Sequence, residues 1–151
     1  MILSHKIKKS IDSSVLCWLA TVSKKGMPNV SPKEIFKYYG EDQVIIANIA
    51  SPQSVRNIKQ NEQVCLSFID ILVQKGFQLK GEAVIVTNQD EDFPKMEAVL
   101  LEMTEGKFPF KTITAIRINR VKPIIAPRYL LYPETTEAAQ IASAKKAYKL
   151  G

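Results

Sequence analysis

Val44-Ile45-Ile46-Ala47-Asn48-Ile49-Ala50-Ser51-Pro52-Gln53-Ser54-Val55-Arg56-Asn57 is the stretch on which the fold turns. Its first seven residues are nearly all apolar, the mark of a strand buried on both faces. Ser51-Pro52 then starts a helix, with Ser51 as N-cap, Pro52 in the first helical position, and Val55 and Ile58 turned inward. Asn61-Glu62 ends it. A helix N-terminus carries about half a positive charge and several unpaired N–H groups, so it accepts anions readily. Ser51 and Ser54 add hydroxyl donors and Arg56 a full charge. In the structural alternative Ser51 is only a cap, Ser54 imitates a capping box and Arg56 is solvated; residue chemistry alone favours that alternative.

Upstream, Leu3, Ile7 and Ile11 recur at helical spacing with lysines between them, which predicts an amphipathic helix over residues 4–12 lidding one end of a barrel. Its Lys6, Lys8 and Lys9 form a solvated face. Val15 to Val22 reads as the first strand, with Trp18 in the core, and Ser23 to Pro28 as a turn. From Asn29 to Lys37 the chain alternates as one second strand, placing Val30, Pro32, Glu34 and Phe36 on one face and Asn29, Ser31, Lys33 and Ile35 on the other. Tyr38 to Gln43 makes another hairpin into the third strand, Val44–Ala50, which implies an antiparallel meander. Ser31 and Lys33 then either line a groove with the Asn48 end of strand three or lie on a solvent-facing edge, where lysine guards against aggregation.

Downstream, Val64–Asp70 and Phe77–Val86 read as the fourth and fifth strands, with Phe77, Leu79, Ala83 and Ile85 on one face and Gly81 marking a bulge. Between them Gln74 and Lys75 either hang in water or reach a neighbouring subunit. Pro94, Met96, Val99, Leu100 and Met103 predict a helix, and Lys111–Val121 a sixth strand that closes the barrel. Pro123, Pro127 and Pro133 break regular structure, and Glu134–Lys149 forms a last helix, so that residues 134–151 are a helical tail on one domain spanning 1–151. The fold class expected is mainly β with peripheral helices: a six-stranded antiparallel barrel.

The 151 residues suffice for one core, and 46% apolar with 24% charged residues is ordinary for a globular protein. No apolar run approaches the roughly 20 residues of a membrane span, and charges interrupt the N-terminal apolar residues too soon for a signal peptide. A cytoplasmic protein is the simplest reading. Cys17 and Cys65 lie in strand-like runs without a CxxC spacing, as two buried free thiols. With His5 as its one histidine, the chain carries no sign of a metal site or a Ser-His-Asp triad. Residues 1–37 carry seven basic and two acidic side chains, as do residues 117–151, whereas the middle is acidic by four. That balance fits an anionic cofactor, nucleic acid or mere solubility, and the lysines are not interleaved with exposed aromatics as nucleic-acid stacking requires.

The order of these pieces resembles the pyridoxamine 5′-phosphate oxidase-like, FMN-binding split-barrel superfamily over roughly residues 13–125. Three stretches carry the resemblance: Leu19-Ala20-Thr21-Val22 with Gly26-Met27-Pro28-Asn29-Val30-Ser31-Pro32; Ala50-Ser51-Pro52-Gln53-Ser54-Val55-Arg56-Asn57-Ile58 with Asn61-Glu62-Gln63-Val64; and Gly76-Phe77-Gln78-Leu79-Lys80-Gly81-Glu82-Ala83. It implies a split β-barrel homodimer with FMN at the interface, acting as an FMN-dependent oxidoreductase or electron carrier on a small-molecule redox substrate that the sequence does not identify. The phosphate side would fall on Ser51, Gln53, Ser54 and Arg56, the ring side on Ser31, Lys33, Asn48, Ile49 and Ala50, with Gln74 and Lys75 supplied by the other subunit. Deazaflavin F420 and haem are the alternative cofactors the resemblance allows, and the alternative role is a non-enzymatic binding module of the same fold, either a flavin or haem sensor or a basic nucleic-acid-binding surface. Many members place a basic residue where this chain has Gln53 or Ser54, which leaves Lys33, Arg56 or a partner lysine to neutralise a phosphate. Ala126 to Pro133 stands where a true pyridoxamine 5′-phosphate oxidase has its substrate-binding segment, so the expected activity is not vitamin B6 oxidation.

Overall fold

The structure, a computed structural model, describes residues 2–151. In chain order its elements are α1 (His5–Ser13), β1 (Cys17–Val22), β2 (Pro28–Lys33), β3 (Phe36–Tyr39), β4 (Gln43–Asn48), α2 (Pro52–Gln60), β5 (Gln63–Asp70), β6 (Lys75–Thr87), α3 (Phe93–Thr104), β7 (Thr112–Ile125), α4 (Pro127–Leu131) and α5 (Glu137–Ala147). The strands form one antiparallel sheet in the order β2-β1-β5-β6-β7-β4-β3. The expected fold class, a mainly β split barrel with peripheral helices, is the one observed.

The strand count is seven rather than six, because the run from Asn29 to Lys37 is two strands. β2 pairs with β1, setting Lys33 opposite Cys17, while β3 pairs with β4, setting Phe36 opposite Ile46. Strict alternation would carry Phe36 outward with the exposed Val30. Instead the phase slips at Glu34-Ile35, so that Lys33 and Phe36 are both buried. β2 and β3 end up at opposite margins of the sheet, and the expected meander of strands one to three does not form. Two residues can cross between those margins only if the sheet is rolled until they meet. Across the seam, the Ala47 N–H donates to the Ile35 carbonyl at 3.0 Å.

The barrel interior holds one apolar cluster, including Leu19, Phe36, Ile46, Leu66, Phe68 and Leu79, closed by Leu3 and by Ile7 and Ile11 of α1. Alternate residues of β4 and β7 face the other way, where Ile45, Ala47, Ile113 and Ala115 meet Phe93, Met96 and Leu100 of α3. The two-sided burial explains why β4 is apolar throughout. The same period of two turns Trp18 outward between the buried Cys17 and Leu19; it is 48% exposed rather than in the core. Of the two free thiols, Cys17 is buried and Cys65 only half-buried.

β6 carries the expected bulge at Lys80/Gly81. A Cβ on Gly81 would lie 2.0 Å from the Arg117 carbonyl oxygen, so only glycine fits. β7 runs on through Pro123, where a break was expected. Beyond Arg117 its one strand neighbour is β6, and a missing N–H is tolerated along such an edge. The last helix is shorter than expected and is preceded by α4, with the Thr136 hydroxyl capping α5 by accepting the Ala139 N–H at 3.1 Å. Among the described residues no helix is long and apolar enough to cross a membrane.

Candidate functional site

The seam brings the end of β2, the chain leaving β4 and the start of α2 to one place. Ser31 stands opposite Leu19 and Lys33 opposite Cys17. Leu19 and Cys17 point into the barrel, so Ser31 and Lys33 do too, and the polar face of the second strand is turned inward rather than to water. There Ser31 Oγ lies 3.1 Å from Ser54 Oγ, and Lys33 Nζ donates to Ser51 Oγ.

Lys33 is 6% exposed. Burial pushes its amine below the ordinary lysine value, an effect the neighbouring Cys17 opposes; burial likewise pushes the Cys17 thiol well up. The lysine–carboxylate pairs among the described residues join Lys8 to Glu41, Lys37 to Asp12, Lys75 to Glu137 and Lys107 to Glu105. Lys33 therefore bonds to a hydroxyl and forms no ion pair with a carboxylate among the described residues, a costly arrangement for a buried cation.

Ser51 holds the N-cap position of α2, but its side chain makes no capping bond. The expectation that Ser51 caps the helix is thus corrected. Its hydroxyl is taken by the Lys33 ammonium, and only its carbonyl serves the helix, accepting the Val55 N–H at 3.1 Å. Behind it a polar chain runs inward from the surface. Arg56 donates to Gln53 Oε1 at 2.9 Å, Gln53 to Asn57 Oδ1 at 2.8 Å, and Asn57 to Thr21 Oγ1 at 3.0 Å. Asn57 and Thr21 are buried and escaped the sequence reading; the available sign was the i, i+4 spacing of Gln53 and Asn57.

Asn48 is committed to β7, donating to Thr112 Oγ1 at 3.1 Å and accepting from Thr114 Oγ1 at 2.8 Å. Ile49 and Ala50 have left β4 and are exposed. With Lys33, Ser51 and Phe108 they line a cavity of about 190 Å³. Phe108 comes from the connection between α3 and β7, where no periodic pattern singled it out. Gln74 and Lys75 are not brought to the seam within this chain. Gln74, at φ 58, accepts the Ala126 N–H at 3.0 Å, and Lys75 pairs with Glu137 at 3.1 Å while lying 4.4 Å over the Tyr129 ring. The seam thus offers a buried cation, three hydroxyls and a helix start beside the apolar Ile49, Ala50 and Phe108, with Glu34 also in the cavity lining. That is chemistry for holding an anionic group attached to an apolar one.

The family described as pyridoxamine 5′-phosphate oxidase matches residues 3–125, and the chain belongs to it. No curated protein matches the chain. Solved structures do. A HupZ variant from Group A Streptococcus is 25% identical with a TM-score of 0.69, the match covering 82% of this chain and 100% of that one. An FMN-binding protein from Syntrophomonas wolfei is 18% identical with a TM-score of 0.65, over 82% of this chain and 87% of its own. A protein named F420 reductase is 19% identical with a TM-score of 0.56, over 79% and 98%. The last two likenesses speak for the fold.

Proposed function

We propose that this chain holds FMN at the interface of a homodimer and serves as an FMN-dependent oxidoreductase or electron carrier. The observation that carries this reading is Lys33, a buried ammonium beside a helix start, bonded to the Ser51 hydroxyl and without a carboxylate partner among the described residues. A phosphate there would complete its coordination, with Ser31, Ser51 and Ser54 as hydroxyl donors and the α2 amides behind them. Lys33 also answers the missing basic residue at Gln53 and Ser54, since Arg56 is drawn aside by Gln53.

The residues fit the group. Ile49 and Ala50, which line the cavity with Lys33 and Ser51, and the neighbouring Asn48 are the residues we assign to the ring side. The cavity, at about 190 Å³, is smaller than the roughly 300–1,000 Å³ of ordinary cofactor pockets. A ring would need a second surface, which suits a second copy of the chain bringing its Gln74 and Lys75. Bound flavin would supply the redox chemistry, and the protein binding, orientation and charge. A deazaflavin is the second reading, supported by the fold relative named F420 reductase.

The visible spectrum of the purified protein, followed by titration with FMN, tests the reading. Uptake of one FMN per chain is expected, on a particle of dimer mass. Ser31→Ala combined with Ser54→Ala should weaken retention, and Arg56→Ala, whose guanidinium is bonded to Gln53, should change it little. A protein that takes up F420 or haem and refuses FMN would overturn the choice of cofactor.

A further inference from the structure

Among the exposed apolar side chains, Phe108 stands out for its place. It is 53% exposed and lines the same cavity as Lys33 and Ser51. The connection that carries it is held at both ends. On one side Glu105 takes a left-handed φ of 52° and Gly106 one of 73°, with the Gly106 N–H donating to Thr104 Oγ1 at 3.1 Å and the Lys107 N–H to the Thr104 carbonyl at 3.0 Å. On the other, Phe110 packs against the cluster under α3. Of two aromatics in three residues, one anchors the connection and the other is left exposed at the cavity that Lys33 and Ser51 line.

We infer that Phe108 is a ligand-binding residue, presenting its ring to the planar apolar part of the molecule whose anionic group is held by Lys33 and the serines. This rests on the FMN reading above and adds a specificity determinant to it. Aromatic faces prefer offset or edge contacts with other π-systems, which a flavin ring would provide and an isolated phosphate would not.

FMN titrations of the wild type, Phe108→Ala and Phe108→Trp, with visible absorption, flavin fluorescence and sedimentation, test it. Phe108→Ala should weaken FMN binding about 2- to 10-fold, the range typical of one aromatic pair, and move the bound-flavin bands toward those of free FMN. Phe108→Trp should restore affinity and quench fluorescence more strongly. Inorganic phosphate, lacking a ring, should bind the wild type and Phe108→Ala alike. Two results would overturn the inference alone: Phe108→Ala binding FMN with unchanged affinity and bands, or losing the dimer while keeping the bands. No uptake of FMN by the wild type overturns this inference together with the reading beneath it.

Discussion

Lys33 concentrates the electrostatics of the account. Burial holds its amine below the ordinary lysine value of 10.5, so the folded chain releases that proton at lower pH than the unfolded chain. Between the two values the unfolded state binds more protons, and stability without ligand should rise with pH across that window. Below it the full cost of the buried charge is present. Anion binding has the opposite sign: it needs the protonated amine, so phosphate and FMN affinity should fall as pH rises through the depressed value. Lys33→Met should abolish both slopes, raise the thermal midpoint of the ligand-free protein, and weaken FMN binding about 10- to 100-fold, as expected for a charged hydrogen bond worth about 1.5–3 kcal/mol. Calorimetry and FMN titration across pH read these effects. The sequence made it legible that Ser31 and Lys33 share a face. It did not make legible that the face points inward, because that depends on the register with Cys17 and Leu19, which lie sixteen and twelve sequence positions away.

α2 divides into a part that meets Lys33 at the cavity and a part bonded into the interior, and substitutions should separate them. Ser51 makes no side-chain cap, so Ser51→Ala loses no N-cap bond; it takes the hydroxyl from the buried Lys33 ammonium, and should destabilise the ligand-free fold by about 1–3 kcal/mol, a cost that shrinks as rising pH neutralises the amine, while weakening FMN retention. Asn57 is different. Its amide joins Gln53 to Thr21 in the interior, and Asn57→Ala should destabilise the fold by about 1–3 kcal/mol, the cost of stranding buried polar partners. Denaturant unfolding across pH, with FMN titration, distinguishes the two: the Ser51→Ala cost should follow the charge on Lys33 and the Asn57→Ala cost should not. The start of α2 was readable from Ser51-Pro52 because proline fits the first helical turn. The diversion of the Ser51 hydroxyl to Lys33 was not, since it arises from a contact between elements. Gly81 shows the reverse: a glycine in the middle of a strand announced the bulge. Gly81→Ala drives a methyl into the Arg117 carbonyl and should lower stability by several kcal/mol or prevent folding, again by denaturant unfolding.

The barrel is closed by a detail the sequence pattern concealed. Asn29 to Lys37 alternates well enough to pass for one strand, and only the burial of both Lys33 and Phe36 exposes the slip that sends β2 and β3 to opposite margins. Pro123 misled in a similar way, because an edge strand accepts a residue that a central strand refuses. What the sequence did carry was the order of its pieces, and with it the family and the fold class. The seam that joins the two margins is also where Lys33, Ser31, Ser51 and Ser54 meet, so the same closure builds the barrel and the candidate site. The most direct test is a single titration of FMN into the purified protein and into Lys33→Met, followed by absorbance at neutral pH. The account predicts saturable uptake of one FMN per chain by the wild type and a loss of about 10- to 100-fold in the variant. No uptake, or equal affinity in the two proteins, would contradict it.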